Sequence, residues 1–331
     1  MDETDLRKKV GNPDQIAFAQ RVVMSDGPES GLKLILVDNG AGLTLQLLEN
    51  RCLDIAKLSY KGKNLSFLSK PGLVGPDQIF PKNGEFVRYF QGGMLYTCGL
   101  QNVGPASADE GKEHLLHGRL GITPARLTSQ IVDFDRGEIL LAGTVSQAEL
   151  FGPNLVLERK ITIPLFGNKV VIDDQVRNLG FSPEHVLLLY HFNFGWPMLS
   201  DKTTLAVDGK VEPRDEAAKA GLSRWNVMES PADSYPEQVF YHTPEAGPDH
   251  LAHAAVFNPE IGLNVDLSFD PRQLPHLIEW KSMQCGDYAL GIEPSTSRVD
   301  GRKNEIANHR TVLLPPGESR SFHLELNITE R

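Results

Sequence analysis

The stretch Leu157-Glu158-Arg159-Lys160-Ile161-Thr162-Ile163-Pro164-Leu165-Phe166-Gly167-Asn168-Lys169-Val170-Val171-Ile172-Asp173-Asp174-Gln175-Val176-Arg177-Asn178 reads as two β-strands folded back on each other. β-Branched residues dominate both arms, and the Gly167-Asn168 pair supplies the turn. Side chains alternate across a strand, so Val170, Ile172, Asp174 and Val176 share one face, while Val171, Asp173 and Gln175 share the other.

The same pattern extends in both directions. Upstream, Leu32–Val37 stops at Asp38-Asn39-Gly40 and alternation resumes at Leu43–Leu48. Asp54–Tyr60 then meets Lys61-Gly62, where Gly62 provides the positive φ of a tight hairpin, and Leu65–Leu68 continues as a further strand. Downstream, Val186–Phe194 is an apolar strand ended by Gly195-Trp196-Pro197. Further strands are expected at Ala254–Phe257, Leu263–Phe269, Leu277–Lys281, Tyr288–Glu293, Thr311–Leu314 and Ser321–Ile328, with Pro315-Pro316-Gly317 as the last hairpin turn. Helical periodicity is confined to Asp5–Val10 and Asp215–Ala220, and 104–111 and 201–249 read as loops, the second long enough to cover a face. Many short strands with frequent turns give an all-β class, a large antiparallel sandwich.

The 331 residues suffice for a large core without disulfide or metal, and are expected to form one domain, with 1–13 a poorly ordered N-terminal segment. A formal net charge of −10 argues against nucleic acid or an anionic membrane as partner. Cys52, Cys98 and Cys285 show no paired spacing, the N-terminus has no apolar run, and no segment is long enough to span a bilayer. A cytoplasmic protein with reduced thiols is expected.

Four places concentrate polar residues. Arg88 stands among aromatics before Gly92-Gly93, either lining a pocket or lying on the surface beside a glycine bend. His114-Leu-Leu-His117-Gly-Arg119 is weak as a metal motif because the glycine makes a loop of it. His191 closes an apolar strand with Asn193 two positions on, sharing its face, so that two polar side chains point one way. Glu293 ends the apolar run Tyr288–Ile292, where a carboxylate needs a donor or a raised pKa. Nucleotide-binding loops and serine-hydrolase elbows are absent from the sequence.

Taken in order, these segments resemble the aldose 1-epimerase (galactose mutarotase-like) superfamily, in its divergent bacterial branch labelled a domain of unknown function. Asn50–Gly62, Phe90–Leu100, His117–Gly121, Leu157–Gly180, Tyr190–Pro197, Tyr288–Pro294 and Leu314–Glu318 carry the likeness. It implies an antiparallel β-supersandwich and a small-molecule sugar as partner, with no cofactor and no metal. Its reaction is the interconversion of the α and β anomers of an aldose by acid–base ring opening. By position, His191 matches the general acid on the ring oxygen and Glu293 the base on the anomeric hydroxyl. His117 matches a sugar-contacting histidine and Arg88 a substrate-binding arginine. With unperturbed pKa values of about 4.3 and 6.5, the two groups suit proton transfer near neutrality. The sequence departs from the characterised mutarotases after His191 and after Glu293, which leaves the sugar open; Arg88 and Arg119 would favour an acidic or phosphorylated one. Two alternatives stand beside this reading. One is a carbohydrate sensor without catalysis, and the other a metal-dependent isomerase gathering His114, His117, His191 and Glu293. A homodimer is compatible with either.

Overall fold

In the computed structural model, residues 7–109 and 111–331 are described. Part of the expected N-terminal segment 1–13, and the start of the helix candidate Asp5–Val10, therefore lie outside the described residues. Alternation of buried and exposed side chains forms the strands. β1 (Phe18–Val23), β2 (Lys33–Asp38), β3 (Leu43–Leu48), β4 (Asp54–Tyr60) and β5 (Lys63–Asn64) make a five-stranded antiparallel meander. The two-residue β4–β5 turn has Lys61 and Gly62 both at positive φ, as the sequence predicted for the glycine. Leu65–Leu68 does not extend it as a strand and makes only isolated bridges.

There follow β6 (Leu95–Leu100), β7 (Ser107–Asp109), β8 (Lys112–His114), β9 (Arg126–Asp133), β10 (Glu138–Ala148), β11 (Asn154–Pro164), β12 (Lys169–Asn178) and β13 (Glu184–Phe194). The chain ends with β14 (Thr204–Val207), β15 (Gly209–Pro213), β16 (Gln238–Pro244), β17 (Ala252–Asn258), β18 (Leu263–Phe269), β19 (His276–Gln284), β20 (Asp287–Ser295), β21 (Val312–Leu314) and β22 (Ser319–Glu330). One eight-stranded sheet has the order β14-β17-β18-β22-β12-β11-β10-β9, and a second runs β15-β16-β19-β20-β13-β21, with β6 also pairing β13. The opening hairpin is β11–β12, paired from Leu155↔Asn178 to Thr162↔Val171.

The main core lies between these sheets. Leu157, Ile161, Val170, Ile172 and Val176 from one side meet Tyr190, Phe192, Phe194, Leu290 and Ile292 from the other. At its centre is a buried ionic knot. Arg159 donates to Asp54 at 2.8 Å and Asp174 at 2.7 Å, and the Tyr190 hydroxyl donates to Asp174 at 2.8 Å. The aspartate on the apolar face of β12 thus finds its partner on the neighbouring strand, and the knot ties β4, β11, β12 and β13 together.

Several loop expectations are corrected. The Pro315-Pro316-Gly317 turn makes no hairpin, because β21 pairs with β13 in one sheet and β22 with β12 and β18 in the other. It hands the chain across the sandwich. The 104–111 stretch contains β7, which pairs with β8. The 201–249 stretch carries β14, β15 and β16 and a helix over Glu216–Gly221, which Asp215 caps through the Ala218 amide. Its prolines and aspartates mark the turns between short edge strands rather than one long loop.

Candidate active site

On β13 the even positions Tyr190, Phe192 and Phe194 point into the core, so the odd ones, Leu187, Leu189, His191 and Asn193, face the opposite side of the sheet. The register that pairs Phe192 with Ile292 and Leu189 with Ser295 sets His191 across from Glu293. The His191 Nε2 lies 3.1 Å from the Glu293 Oε1, and both side chains are almost wholly buried. Together they form the floor of a cleft of roughly 1560 Å³.

The space for the pair comes from Gly291. It lies two residues before Glu293 on the same face of β20, and a Cβ there would stand 2.7 Å from Glu293 Oε1 and 3.1 Å from His191 Cε1. Around His191 the rings of Phe90, His117 and Trp280 stand at 5.5, 5.7 and 5.7 Å. This box is largely aromatic, and burial in it acts on both ionisable groups. Burial pushes the Glu293 carboxyl well above its ordinary range, Arg214 opposing and Glu237 adding to the shift. Burial holds the His191 imidazole well below its ordinary range, with His117 working the same way and the Asn193 side chain against it. Both shifts run toward the uncharged form of the group concerned.

His117 sits at positive φ, its amide donating to the Gly104 carbonyl at 2.9 Å. Its ring reaches the cleft with a buried Nδ1 that has no protein partner, and burial lowers its pKa to about 4. It is therefore neutral at physiological pH and available for hydrogen bonding. Arg88 lies at the mouth, on the one-turn helix α1 (Phe86–Tyr89), its mostly exposed guanidinium 3.5 Å from Glu85.

Two other candidates are placed elsewhere. Arg119 does not line the cleft: Leu120 and Gly121 bury the short 3-10 turn it precedes, and its own side chain faces solvent. Asn193 shares the His191 face as expected but is covered, its amide nitrogen donating to Gly93 O at 3.1 Å and His191 O at 2.9 Å. It stands behind the histidine rather than in the cleft. Its Oδ1 and the His191 Nδ1 are both buried without a hydrogen bond of standard geometry to any other group. The metal-centre alternative loses a member, since His114 lines no part of the cleft. Among the described residues no three His, Cys, Asp or Glu side chains cluster at ligating distance.

Sequence reasoning missed three contributors. Arg214 and Glu237, 3.3 Å apart, flank Glu293, and Trp280 Nε1 donates to Glu237 at 3.0 Å. Arg214 follows β15, Glu237 immediately precedes β16 and Trp280 lies on β19, and the pairing of β15 with β16 and of β16 with β19 gathers them. Gly291 alone left a local signal, a glycine inside an otherwise apolar strand.

Residues 29–328 match the family model described as "Domain of unknown function (DUF4432)". No curated protein matches in sequence. Among solved structures, a Klebsiella pneumoniae protein, provisionally named an aldose 1-epimerase, superposes with a TM-score of 0.90 at 27% identity, over 96% of this chain and 86% of its own. A galactose mutarotase-like protein from Clostridium acetobutylicum gives 0.68 at 13% identity, over 96% and 100% of the two chains. Galactose 1-epimerase from Lactobacillus acidophilus gives 0.60 at 14% identity, over 95% and 99%.

Proposed function

The chain belongs to the DUF4432 family and has the galactose mutarotase-like fold, and from that premise we propose that it is an aldose 1-epimerase. The observation that carries the reading is the His191–Glu293 contact of 3.1 Å on the floor of the cleft. A contiguous acid–base pair that can pass one proton between its members is what ring opening of a cyclic hemiacetal requires. One member gives a proton to the ring oxygen as the C1–O5 bond breaks, and the other takes the proton from the O1 hydroxyl as C1 becomes the aldehyde. Rotation about C1–C2 and closure by the reverse steps give the other anomer, with no net gain or loss of protons or electrons.

Moving a proton from Glu293 Oε1 to His191 Nε2 produces the imidazolium and carboxylate of the expected roles, His191 as acid and Glu293 as base. Sugar hydroxyls entering the box would stabilise that ionised form by charge-assisted hydrogen bonds. His117, whose neutral ring lines the cleft, would bind a sugar hydroxyl. Asn193, covered by the sheet, has the role of holding the His191 ring rather than touching sugar.

Anomer exchange followed by polarimetry or by NMR over a panel of aldoses tests the reading. Glu293→Gln and His191→Ala should each slow accelerated exchange by roughly 10²–10⁴-fold while near-ultraviolet circular dichroism stays native. Unchanged rates in both variants would refute it. A protein that only sensed sugar would have no use for an acid–base pair at the floor of its cleft.

A further inference from the structure

Between β5 and β6 the chain makes a long excursion, residues 65–94, that carries two of the rings over the cleft floor. Here α1 sets Phe86 flat against Phe90, ring centres 4.9 Å apart. Phe90 meets His191 at 5.5 Å, and Phe86 leans over His117 at 5.5 Å. The excursion packs only part of its apolar surface, since Leu68, Phe80 and Val87 are exposed.

A side chain from outside ties it down. Arg51 stands in the β3–β4 turn, is 1% exposed, and reaches both limbs of the excursion. Its guanidinium donates to the Val74 carbonyl at 3.1 Å on the outgoing limb. On the returning limb it donates to the Tyr89 carbonyl at 2.7 Å and to the side-chain oxygen of Gln91. Tyr89 and Gln91 flank Phe90, whose own carbonyl accepts from the Ser69 hydroxyl. The backbone on either side of Phe90 is thereby fixed, which aims its ring at His191.

The base from which Arg51 reaches is itself fastened. The Cys52 amide donates to the Thr123 carbonyl at 2.8 Å, and the Cys52 carbonyl accepts from Arg159 of the ionic knot at 3.0 Å. All three acceptors of Arg51 are neutral, two carbonyls and one amide oxygen. A buried guanidinium held by neutral groups alone is a costly way to secure a loop. Its planar fork of donors is what lets one residue span two limbs at once.

Resting on the acid–base reading above, we propose that Arg51 is a positioning residue for the His191–Glu293 pair. It acts through Phe90: by fixing the chain at Tyr89 and Gln91 it keeps that ring against His191 and keeps the imidazole buried. It touches neither sugar nor the protons that move. The charged and titratable groups that act on the pair are His117, Arg214 and Glu237, all on other elements. Lys70 and Arg88, which the excursion itself carries into the cleft, are paired with Asp287 and Glu85. A change at Arg51 therefore reaches His191 through burial and not through a neighbouring charge.

Titration of the His191 ring by proton–nitrogen NMR on the full chain without sugar tests the proposal, its signals identified by their absence in His191→Ala. In the wild type the ring should stay neutral well below the ordinary histidine value. Arg51→Met and Phe90→Ala should each raise its midpoint by about one pH unit or more. The double variant should raise it no further than Phe90→Ala alone, because both changes act by the same ring. If Arg51→Met does not fold, Arg51→Lys is read in its place; it keeps the buried charge, loses the fork, and should shift the midpoint in the same direction. An unchanged midpoint in the folded Arg51 variant overturns the proposal, as do shifts that add in the double variant. Because this titration needs no substrate, it is separate from the epimerase reading. A wild type that shows these shifts without accelerating anomer exchange would count against that reading and leave the role of Arg51 in burying His191 standing.

Discussion

Gly291 shows how little room the proposed chemistry has. Its backbone is ordinary extended strand, so alanine there costs no φ strain, yet the added methyl would meet the Glu293 carboxylate at 2.7 Å. Displacing that oxygen by even a fraction of an ångström breaks the 3.1 Å contact with His191. Gly291→Ala should therefore lower the exchange rate at least tenfold while changing the unfolding midpoint little. An activity equal to wild type would show that the pair tolerates displacement. Asn193 offers a complementary case. Because it sits behind His191 and its contact favours the protonated ring, Asn193→Ala should lower the rate constant far more than it changes sugar affinity. A pure affinity defect would instead return Asn193 to the role of a sugar contact.

At the scale of elements, one strand pairing makes the site and one ionic knot supports it. β13 is flanked by β6 and β20, and the β13–β20 register alone brings His191 to Glu293. Behind β13, Tyr190 bonds Asp174, and Arg159 bonds both Asp174 and Asp54, all with fully buried side chains. Removing Arg159 leaves two buried carboxylates without a counter-charge, and an uncompensated buried charge typically costs about 3–5 kcal/mol. Arg159→Ala should lose stability on that scale in urea unfolding. Replacing Arg159, Asp54 and Asp174 together by apolar residues should cost less than the single change, since no charge is then left unpaired. A single variant within 1 kcal/mol of wild type, on the same order-of-magnitude footing, would mean water reaches the knot.

For the whole molecule, the site sets a pH dependence of stability. Between about 4 and 6.5 the unfolded chain binds a proton at His117 that the folded protein does not, because the folded pKa is about 4. Stability from this group is complete above the unfolded value and falls as pH drops through that window. From pH 7 to pH 5 the loss is on the order of 2 kcal/mol. His276, also lowered to about 4 by burial, adds in the same direction. His117→Asn, which keeps a residue tolerant of positive φ, should flatten the pH 5 to pH 7 difference in urea midpoint. A variant with the wild-type pH slope would show that His117 is not the group responsible.

The β11–β12 hairpin, the apolar β13 strand, the polar ends at His191 and Glu293 and the family likeness were all legible in the sequence. Strand alternation and turn chemistry are local, and they repeat every two residues. What local pattern could not supply was partnership between distant strands. It did not tell that Pro315–Gly317 crosses between sheets, that 201–249 holds strands, or that Asn193 is covered and Arg119 faces solvent. Nor did it place Arg214, Glu237 and Trp280 beside Glu293, since each lies in a segment with its own unremarkable reading. The sequence by itself determined which residues carry ionisable groups at the ends of apolar strands. Tertiary pairing decided which of them touch, because register is fixed by core packing on the opposite face of the sheet, and burial by that packing shifts both groups toward their uncharged forms.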